Sequence, residues 1–433
     1  MKSKAITNWL SKTNRFTFSL YAIIAAFSTY TCMYALRKPF SVAEFSGITY
    51  FGLDYKTSLV IAQVFGYMLS KFMGIRYISE MKPDRRGISI IALIIIAEIS
   101  LIMFSIVSPP YNIVFLFING LPLGMVWGLV FSYLEGRRLT EILGAGLSVS
   151  FIVSSGFVKS AGNMVMNWGF SEYSMPYITG ILFLIPLVFF VWMLNQVPPP
   201  DKTDEEMRTK RIPMNKDERN QFFWLFAVGI VLLTIIYMFL TAFRDLRDNF
   251  AADIWSELGY SKTPMIFTYT EIPVAVGVLL IVGSVMWIKN NLRALIINHY
   301  IILAGILLTG FSAACFEWHL ISAPVWMVLT GLGLYMGYVP FNCILFDRLI
   351  AAYKTRGNSG FLIYIADSFG YLASVIVLLY KNFGQANISW LRFIINSSYV
   401  LAVIGTVLTL VSIIYFKKKN SVQIIPEVVT GEV

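Results

Sequence analysis

The chain has 433 residues, of which 57% are hydrophobic and only 13% are charged. This composition excludes an ordinary soluble globule, in which about a quarter of the residues are charged. The formal net charge of +10 does not indicate a nucleic-acid partner, because the basic residues are spread over short segments between hydrophobic stretches.

Twelve hydrophobic stretches are long enough to cross a bilayer, which takes about 20 apolar residues per helix. Lipid offers the backbone no hydrogen-bond partner, and the sequence lacks the alternating segments of a membrane barrel, so each stretch is predicted to be a helix. The predicted centres lie near residues 27, 66, 97, 122, 153, 184, 232, 275, 304, 332, 368 and 404. The expected fold is an all-α protein with 12 transmembrane helices in the lipid bilayer.

Most of the 34 Lys and Arg residues lie in every second loop, a bias that predicts these loops and both termini on the cytoplasmic side. We therefore expect a multi-pass protein of the inner (plasma) membrane. The first helix is too long for a signal peptide and no cleavage site follows it, which favours a retained span. Six basic residues lie instead within helices or at their ends: Arg37, Lys38, Lys71, Lys159, Arg244 and Arg247.

Helices 1 and 2 each carry tyrosine and a cation on one face. Tyr30, Tyr34 and Arg37 are spaced i, i+4, i+7 on helix 1, and Tyr67 and Lys71 are spaced i, i+4 on helix 2. A charge at membrane depth costs at least about 2.5 kcal/mol, so these residues are expected to face a wet cavity. Guanidinium, ammonium and phenol groups together predict an anion site. Snorkelling of the cations to the membrane surface is the structural alternative.

Further charged residues are predicted at membrane depth along the chain. Lys38 after helix 1 and Lys159 of helix 5 are candidates for the same anion site. Glu98 of helix 3, Glu271 of helix 8 and Asp367 of helix 11 are candidates for proton coupling or for balancing the charge of the cations.

The only long charged stretch divides six predicted helices from six. The predicted organisation is an N-terminal half of residues 1–195, a cytoplasmic linker of 196–219, a C-terminal half of 220–416 and a cytoplasmic tail of 417–433.

The two halves match each other at a nearly constant spacing. Leu36-Arg37 matches Phe243-Arg244 at an offset of 207 residues, and Tyr55-Lys56-Thr57 matches Ser261-Lys262-Thr263 at an offset of 206. An internal duplication explains this spacing and predicts that Arg244 faces Arg37 across a pseudo-two-fold axis. Because Asp245 directly follows Arg244, pairing of these two residues is the structural alternative.

The sequence lacks the patterns that would indicate an enzyme or a cofactor. The three cysteines and two histidines do not have the spacing of metal ligands, and no nucleophile and base set or phosphate-cradling glycine loop occurs. We therefore expect no catalysis, no metal and no cofactor.

Several segments resemble the organophosphate:phosphate antiporter family of the major facilitator superfamily, and within it the glycerol-3-phosphate transporters. MYALRKPFSVA at 33–43 is similar to the helix 1 motif of that family, and GYMLSKFMG at 66–74 is similar to its helix 2 motif. The matching positions are Tyr30, Tyr34, Arg37, Lys38, Tyr67 and Lys71, with Arg244, Glu271 and the segment SFGYL at 368–372 in the second half. The resemblance implies two six-helix halves, a phosphate group held between Arg37 and Arg244, and alternating access.

We therefore expect a monomeric secondary active transporter of a small organic anion, with phosphorylated metabolites as the first candidates. The chain departs from the family at Ser154, where the family has a histidine, and at Thr241, where it has a tyrosine. Two alternatives remain open. One is a proton-coupled transporter of a sugar or carboxylate that uses Glu98, Glu271 or Asp367, and the other is a membrane sensor that binds a metabolite without transporting it.

Overall fold

The computed structural model describes residues 3–200 except 51, 80, 135, 136 and 138, and residues 216–421 except 261, 262, 264, 354, 356–358 and 386. Within these residues the chain is almost entirely helical, and its only strands form one short hairpin. The prediction of an all-α protein is confirmed.

The N-terminal half contains a short surface helix, α1 (Lys4–Lys12), and six long helices. The long helices are α2 (Arg15–Ala35), α3 (Tyr55–Ser79), α4 (Arg86–Ile106), α5 (Ile113–Phe131), α6 (Thr140–Asn167) and α7 (Met175–Asn195). The side chain of Asn14 caps α2 by accepting a hydrogen bond from the Thr17 amide at 2.8 Å. The helix ends at Ala35 because Pro39, which has no amide hydrogen, soon follows and opens a 3₁₀ turn, Pro39–Val42.

A two-stranded hairpin precedes α3. Strand β1 (Thr49–Tyr50) pairs antiparallel with β2 (Leu53–Asp54), with Thr49 opposite Asp54 and Tyr50 opposite Leu53. Gly52 turns the chain between the strands with a φ of +73°, a conformation that glycine adopts without strain.

The C-terminal half contains six corresponding spans and two short helices. These elements are α8 (Lys216–Asn249), α9 (Ala251–Glu257), α10 (Ile266–Ser284), α11 (Asn291–Glu317), α12 (Ala323–Cys343), α13 (Leu345–Ala352), α14 (Ser359–Leu379), α15 (Trp390–Val400) and α16 (Thr406–Ser421). A π-helical turn, Leu401–Gly405, joins α15 and α16 into one span.

Most of the predicted linker and tail lies outside the described residues, namely 201–215 and 422–433. The described residues include the last residues of the linker, where helix α8 begins at Lys216, and the first residues of the tail, where α16 continues to Ser421.

Among the described residues, eleven helical spans are long and apolar enough to cross a membrane. The twelfth long helix, α3, has 25 residues but contains Gln63, Ser70 and Lys71 in its interior. With α3, the twelve predicted helices are present, and the chain is a multi-pass membrane protein. Large apolar side chains such as Ile99, at 55% exposure, and Ile185, at 83% exposure, cover the outside of the bundle, as contact with lipid requires.

Glycines allow α3 and α5 to pack with their backbones in contact. A Cβ added at Gly120 would overlap the carbonyl oxygen of Gln63, and one added at Gly66 would overlap that of Phe117. Gly124 packs against Ser70 in the same way. Small residues at such spacing are the usual basis of close helix packing in lipid.

The halves meet where α3 packs against α14 and where α6 packs against α10. Ser3 donates a hydrogen bond to Gln196 Oε1 at 2.7 Å, and Lys419 donates to the carbonyl of Leu225. Both ends of the described chain therefore lie at the face where the halves are linked, which we call the linker face. We call the opposite face, which carries the hairpin and α9, the distal face.

We expect Gly120→Ala to lower the free energy of unfolding by about 1–3 kcal/mol, because the added methyl group forces α3 and α5 apart. Gly283→Ala is the matched control, since a Cβ at Gly283 of α10 meets no atom within 4 Å. That control should be neutral or stabilising by up to about 1 kcal/mol. Thermal unfolding of both variants in detergent checks this, and equal melting temperatures would contradict the packing assigned to Gly120.

Candidate functional site

Arg37 lies level with the middle of α3, where α2 has already ended. Its guanidinium carbon is 3.8 Å from the centroid of the Tyr67 ring, and Tyr67 is halfway along α3. Because α2 ends here, two backbone carbonyl groups lack a helical hydrogen bond, and two buried side-chain amides donate to them instead. Gln63 Nε2 donates to the Arg37 carbonyl at 3.0 Å, and Asn119 Nδ2 donates to the Leu36 carbonyl at 3.2 Å. The backbone beside Arg37 is therefore fixed by α3 and α5.

The Arg37 guanidinium is buried without a counter-ion. Arg37 is 2% exposed, and its Nε has no hydrogen-bond partner. Among the described residues its side chain contacts the rings of Tyr67 and Tyr371 and forms no ion pair. Ring contacts stabilise a cation by about 2 kcal/mol at most when it is desolvated, which is less than the cost of burying an unpaired charge.

Arg244 lies near the distal end of α8, at the position that the sequence analysis matched to Arg37, and it is already neutralised. Its Nη2 lies 2.6 Å from Asp245 Oδ1 and 3.3 Å from the Tyr371 hydroxyl, and its guanidinium carbon lies 4.1 Å from the Tyr338 ring centroid. Ser374 donates to the second Asp245 oxygen at 2.9 Å. The structure therefore has the Arg244–Asp245 pair that the sequence left as the alternative.

Both guanidinia converge on Tyr371 of α14. The guanidinium carbons of Arg37 and Arg244 lie 5.7 Å and 5.9 Å from its ring centroid. A small cavity of about 10 Å³ lies beside them, lined by Tyr30, Tyr34, Tyr67, Lys71, Trp127, Phe151, Arg244, Tyr338, Asn342, Asp367 and Tyr371. A space of this size holds about one water molecule and is far below the roughly 300–1,000 Å³ of ligand pockets, so the structure represents a closed conformation.

Lys71 and Asp367 form an ion pair between the halves on the linker side of the cavity. Lys71 Nζ lies 2.8 Å from Asp367 Oδ2, and the two side chains are 2% and 4% exposed. Tyr237 donates a hydrogen bond to the other Asp367 oxygen. Lys71 therefore does not snorkel to the membrane surface, and α3 is joined to α14 at this level.

A second link between the halves lies on the distal side. Asp248, one residue before the end of α8, accepts from Lys38 at 2.5 Å and from Lys159 of α6. Lys38 also donates to Asn249 Oδ1 at 2.8 Å, and Ser155 donates to Asp248. Two lysines from the N-terminal half thus share one carboxylate from the C-terminal half.

Arg247 and Glu271 pair within the C-terminal half. Arg247 Nη1 lies 2.8 Å from Glu271 Oε1, and Nη2 donates to the Met327 carbonyl at 3.0 Å. Asp248, the residue next to Arg247, instead contacts the lysines of the other half. Glu271 is therefore ion-paired in this conformation.

Tyr30 and Tyr34 of α2 and Phe151 of α6 line the cavity on one side. The hydroxyls of Tyr30 and Tyr67 are 3.5 Å apart, and the Tyr30 and Tyr34 rings pack edge to face with centroids 5.3 Å apart. Ser154, at the place of the histidine of the resembling family, bonds to the Thr31 hydroxyl at 2.6 Å. Ser154 is thus engaged with α2.

Glu98 lies apart from the central cluster. It is 5% exposed on α4, and it packs against Gly180 of α7. Among the described residues its carboxylate oxygens have no hydrogen-bond partner. It therefore balances none of the central cations.

A groove at the distal face has a volume of about 360 Å³, which is within the range of about 300–1,000 Å³ found for ligand pockets. Lys56 at the start of α3 crosses it to Asp253 of α9, with Nζ 2.7 Å from Oδ2. Burial raises the pKa of the nearby Asp54 carboxyl, and the Thr57 amide that donates to it at 3.3 Å acts in the opposite direction.

Sequence reasoning missed three groups that complete the site. Tyr338 and Tyr371 contact the guanidinium groups. Tyr371 lies in the matched SFGYL segment at 368–372, which was not assigned to the site, and no pattern distinguishes Tyr338 from other membrane tyrosines. Asp248 carried a usable signal, because it lies four residues after Arg244 and so on the same helix face. Gln63 and Asn119 support the backbone of helix 1, which only the break after Ala35 reveals. Within the described part of the chain, no group of three His, Cys, Asp or Glu residues could hold a metal ion.

The architecture is that of a known transporter class. The crystal structure of a D-xylose-proton symporter superposes with a TM-score of 0.61 over 92% of this chain and 97% of that chain, at 14% sequence identity. The chain therefore has the major facilitator superfamily fold, as predicted. The model of DUF5690, a family of unknown function, matches residues 39–419, and the chain belongs to that family. No curated protein matches it in sequence.

We expect Asp367→Asn to cost about 3–5 kcal/mol of stability, because it leaves Lys71 buried and unpaired. The double variant Lys71→Met/Asp367→Leu should recover most of that loss, since it removes both buried charges. Unfolding in detergent measures both effects.

Glu317→Gln provides the matched control for the pair. Glu317 is bonded to Arg392, and these side chains are 27% and 58% exposed, so its loss should cost about 1 kcal/mol or less. If Asp367→Asn is as stable as Glu317→Gln, the Lys71–Asp367 pair is not shielded from water and the prediction is contradicted.

Proposed function

We propose that the protein is a secondary active transporter of a small organic anion, with phosphorylated metabolites as its substrates. The observation that carries this proposal is the buried Arg37 guanidinium without a counter-ion. A phosphate group accepts paired hydrogen bonds from such a fork and supplies the missing negative charge. The transporter belongs in the inner membrane as a monomer, with its linker face toward the cytoplasm.

The charge balance of the central region supports an anion. The six buried cations are Arg37, Lys38, Lys71, Lys159, Arg244 and Arg247, and their carboxylate partners are Asp245, Asp248, Glu271 and Asp367. Six cations and four carboxylates leave an excess of two positive charges. A phosphate monoester, with a charge of about −1.5 to −2 at neutral pH, balances that excess, whereas a neutral sugar does not.

The two ion-pair layers support alternating access. Lys71–Asp367 joins the halves on the linker side, and Lys38–Asp248 joins them on the distal side. A substrate must break one layer to reach the cavity and the other to leave it. An anion that attracts Lys38 or Lys71 competes with the carboxylate of that layer, so its binding lowers the cost of opening.

Purified protein in liposomes preloaded with phosphate tests the proposal. Exchange of external labelled phosphate, or of a labelled phosphate ester, supports anion antiport. Binding of these anions in a thermal-shift screen without any flux would instead support a membrane sensor.

We expect Arg37→Lys to weaken anion binding by about 10- to 100-fold, equivalent to about 1.5–3 kcal/mol, because an ammonium cannot reproduce two parallel hydrogen bonds. Arg244→Lys should have a smaller effect, since Asp245 already occupies part of that guanidinium. Thermal-shift titration with phosphate esters measures both affinities.

Arg392→Lys serves as the control, because Arg392 is 58% exposed at the surface and should leave binding unchanged. If Arg37→Lys binds as tightly as this control, Arg37 is structural and the anion proposal fails.

A proton-coupled sugar transporter is the second candidate. Tyr30, Tyr67, Trp127, Tyr338 and Tyr371 line the cavity, and flat aromatic rings suit a sugar. The structural neighbour is named as a D-xylose-proton symporter, although the shared fold carries no substrate information. Uptake of labelled sugar driven by a proton gradient, with no response to phosphate, would favour this candidate.

A further inference from the structure

The Glu98 side chain is buried so deeply that an ionised carboxylate is unfavourable there. It is 5% exposed, and neither carboxylate oxygen has a hydrogen-bond partner among the described residues. It fits only because its neighbour on α7 is Gly180, where an added Cβ would overlap Oε2. The packing of α4 against α7 thus encloses this carboxyl group.

No positive charge faces Glu98 from the elements that pack against α4. Helix α5 contains no Asp, Glu, Lys, Arg or His, and in α7 the only titratable side chain is Tyr177. On α4 itself the only other charge is Arg86, twelve residues or about 18 Å away along the helix. The 3₁₀ turn Pro83–Arg85, with Asp84 and Arg85, lies at that same linker end.

An ionised carboxylate without a hydrogen-bond or ion-pair partner costs several kcal/mol in a buried site. We propose that the carboxyl group of Glu98 holds a proton in this closed conformation and that Glu98 is a proton-binding site of the N-terminal half, separate from the central cluster and linked to it through Asn119.

The link runs through one buried amide. Asn119 Nδ2 donates to the carbonyl of Ala97, next to Glu98, at 3.1 Å and to the carbonyl of Leu36, next to Arg37, at 3.2 Å. Its Oδ1 accepts from Gln63 Nε2 at 2.8 Å. Any movement of α4 that hydrates Glu98 therefore changes the support of the backbone that carries Arg37.

The proton can reach Glu98 from the distal face. Glu98 is eight residues, or about 12 Å, from the distal end of α4, and Gly180 is five residues, or about 8 Å, from the distal end of α7. Separation of these helix ends would admit water, allow the carboxyl group to ionise and release its proton to that side. The use of this proton to drive transport rests on the proposed function, but its binding does not.

Infrared spectroscopy of the full chain in liposomes tests the site without any substrate. The difference spectrum between the wild type and Glu98→Gln at neutral pH should contain the carbonyl stretch of a protonated carboxylic acid. The matching spectrum for Glu317→Gln should contain only carboxylate bands, because Glu317 is ion-paired with Arg392 and partly exposed. Carboxylate bands alone in the Glu98→Gln spectrum would overturn the proposal.

Hydrogen exchange provides the second measurement, with mass-spectrometric detection of the segments 86–106 and 175–195. Raising the pH should speed exchange there several-fold more in the wild type than in Glu98→Gln, which cannot ionise. Equal pH responses in the two proteins would contradict the coupling of ionisation to helix separation. If Glu98→Gln does not fold, the wild type alone decides: its two segments must respond to pH more strongly than 323–343 of α12, and an equal response overturns the proposal.

Discussion

Buried charge is the constraint on which this molecule depends. Three buried cations, Lys71, Arg244 and Arg247, each have a carboxylate of their own, but Lys38 and Lys159 share one and Arg37 has none. A lipid-embedded protein does not retain excess buried charge for stability, because apolar residues of similar size would pack at lower cost. The anionic substrate proposed above would supply the negative charge that this arrangement lacks.

The position of the unpaired guanidinium follows from a break in the backbone. Helix α2 ends at Ala35, ahead of Pro39, and the carbonyls of Leu36 and Arg37 would be unsatisfied in lipid. Gln63 and Asn119 satisfy them from α3 and α5. Close packing at Gly66 and Gly120 brings these helices near enough to do so. The position of Arg37, and with it the proposed anion site, thus depends on glycines that contribute no chemistry of their own.

The sequence was sufficient for the architecture and for part of the site. Twelve apolar stretches and the charged segment between halves predicted the fold, because membrane thickness dictates helix length. The sequence also identified Lys71 and Asp367 as candidate site residues. It did not predict that they pair, since their contact depends on how α3 packs against α14. The sequence could not decide whether Arg244 pairs with Asp245. Adjacent residues on a helix point in different directions, and only particular side-chain rotamers bring them into contact. The isolation of Glu98 required knowing that α4 faces α7.

The two halves differ at the residue that follows each central arginine. Arg37 and Arg244 lie at positions matched by sequence offset, yet the next residue is Lys38 in one half and Asp245 in the other. Asp245 neutralises its own arginine, whereas Lys38 extends to Asp248 of the opposite half. On the proposed function, an anion would bind Arg37 without displacing a carboxylate, whereas at Arg244 it would have to displace Asp245. Affinity would then reside mainly with Arg37, and the exchange of partners at Arg244 and Asp248 would couple binding to movement between the halves. The proton proposed for Glu98 lies in the same half as Arg37, where it would influence Arg37 without competing for the anion.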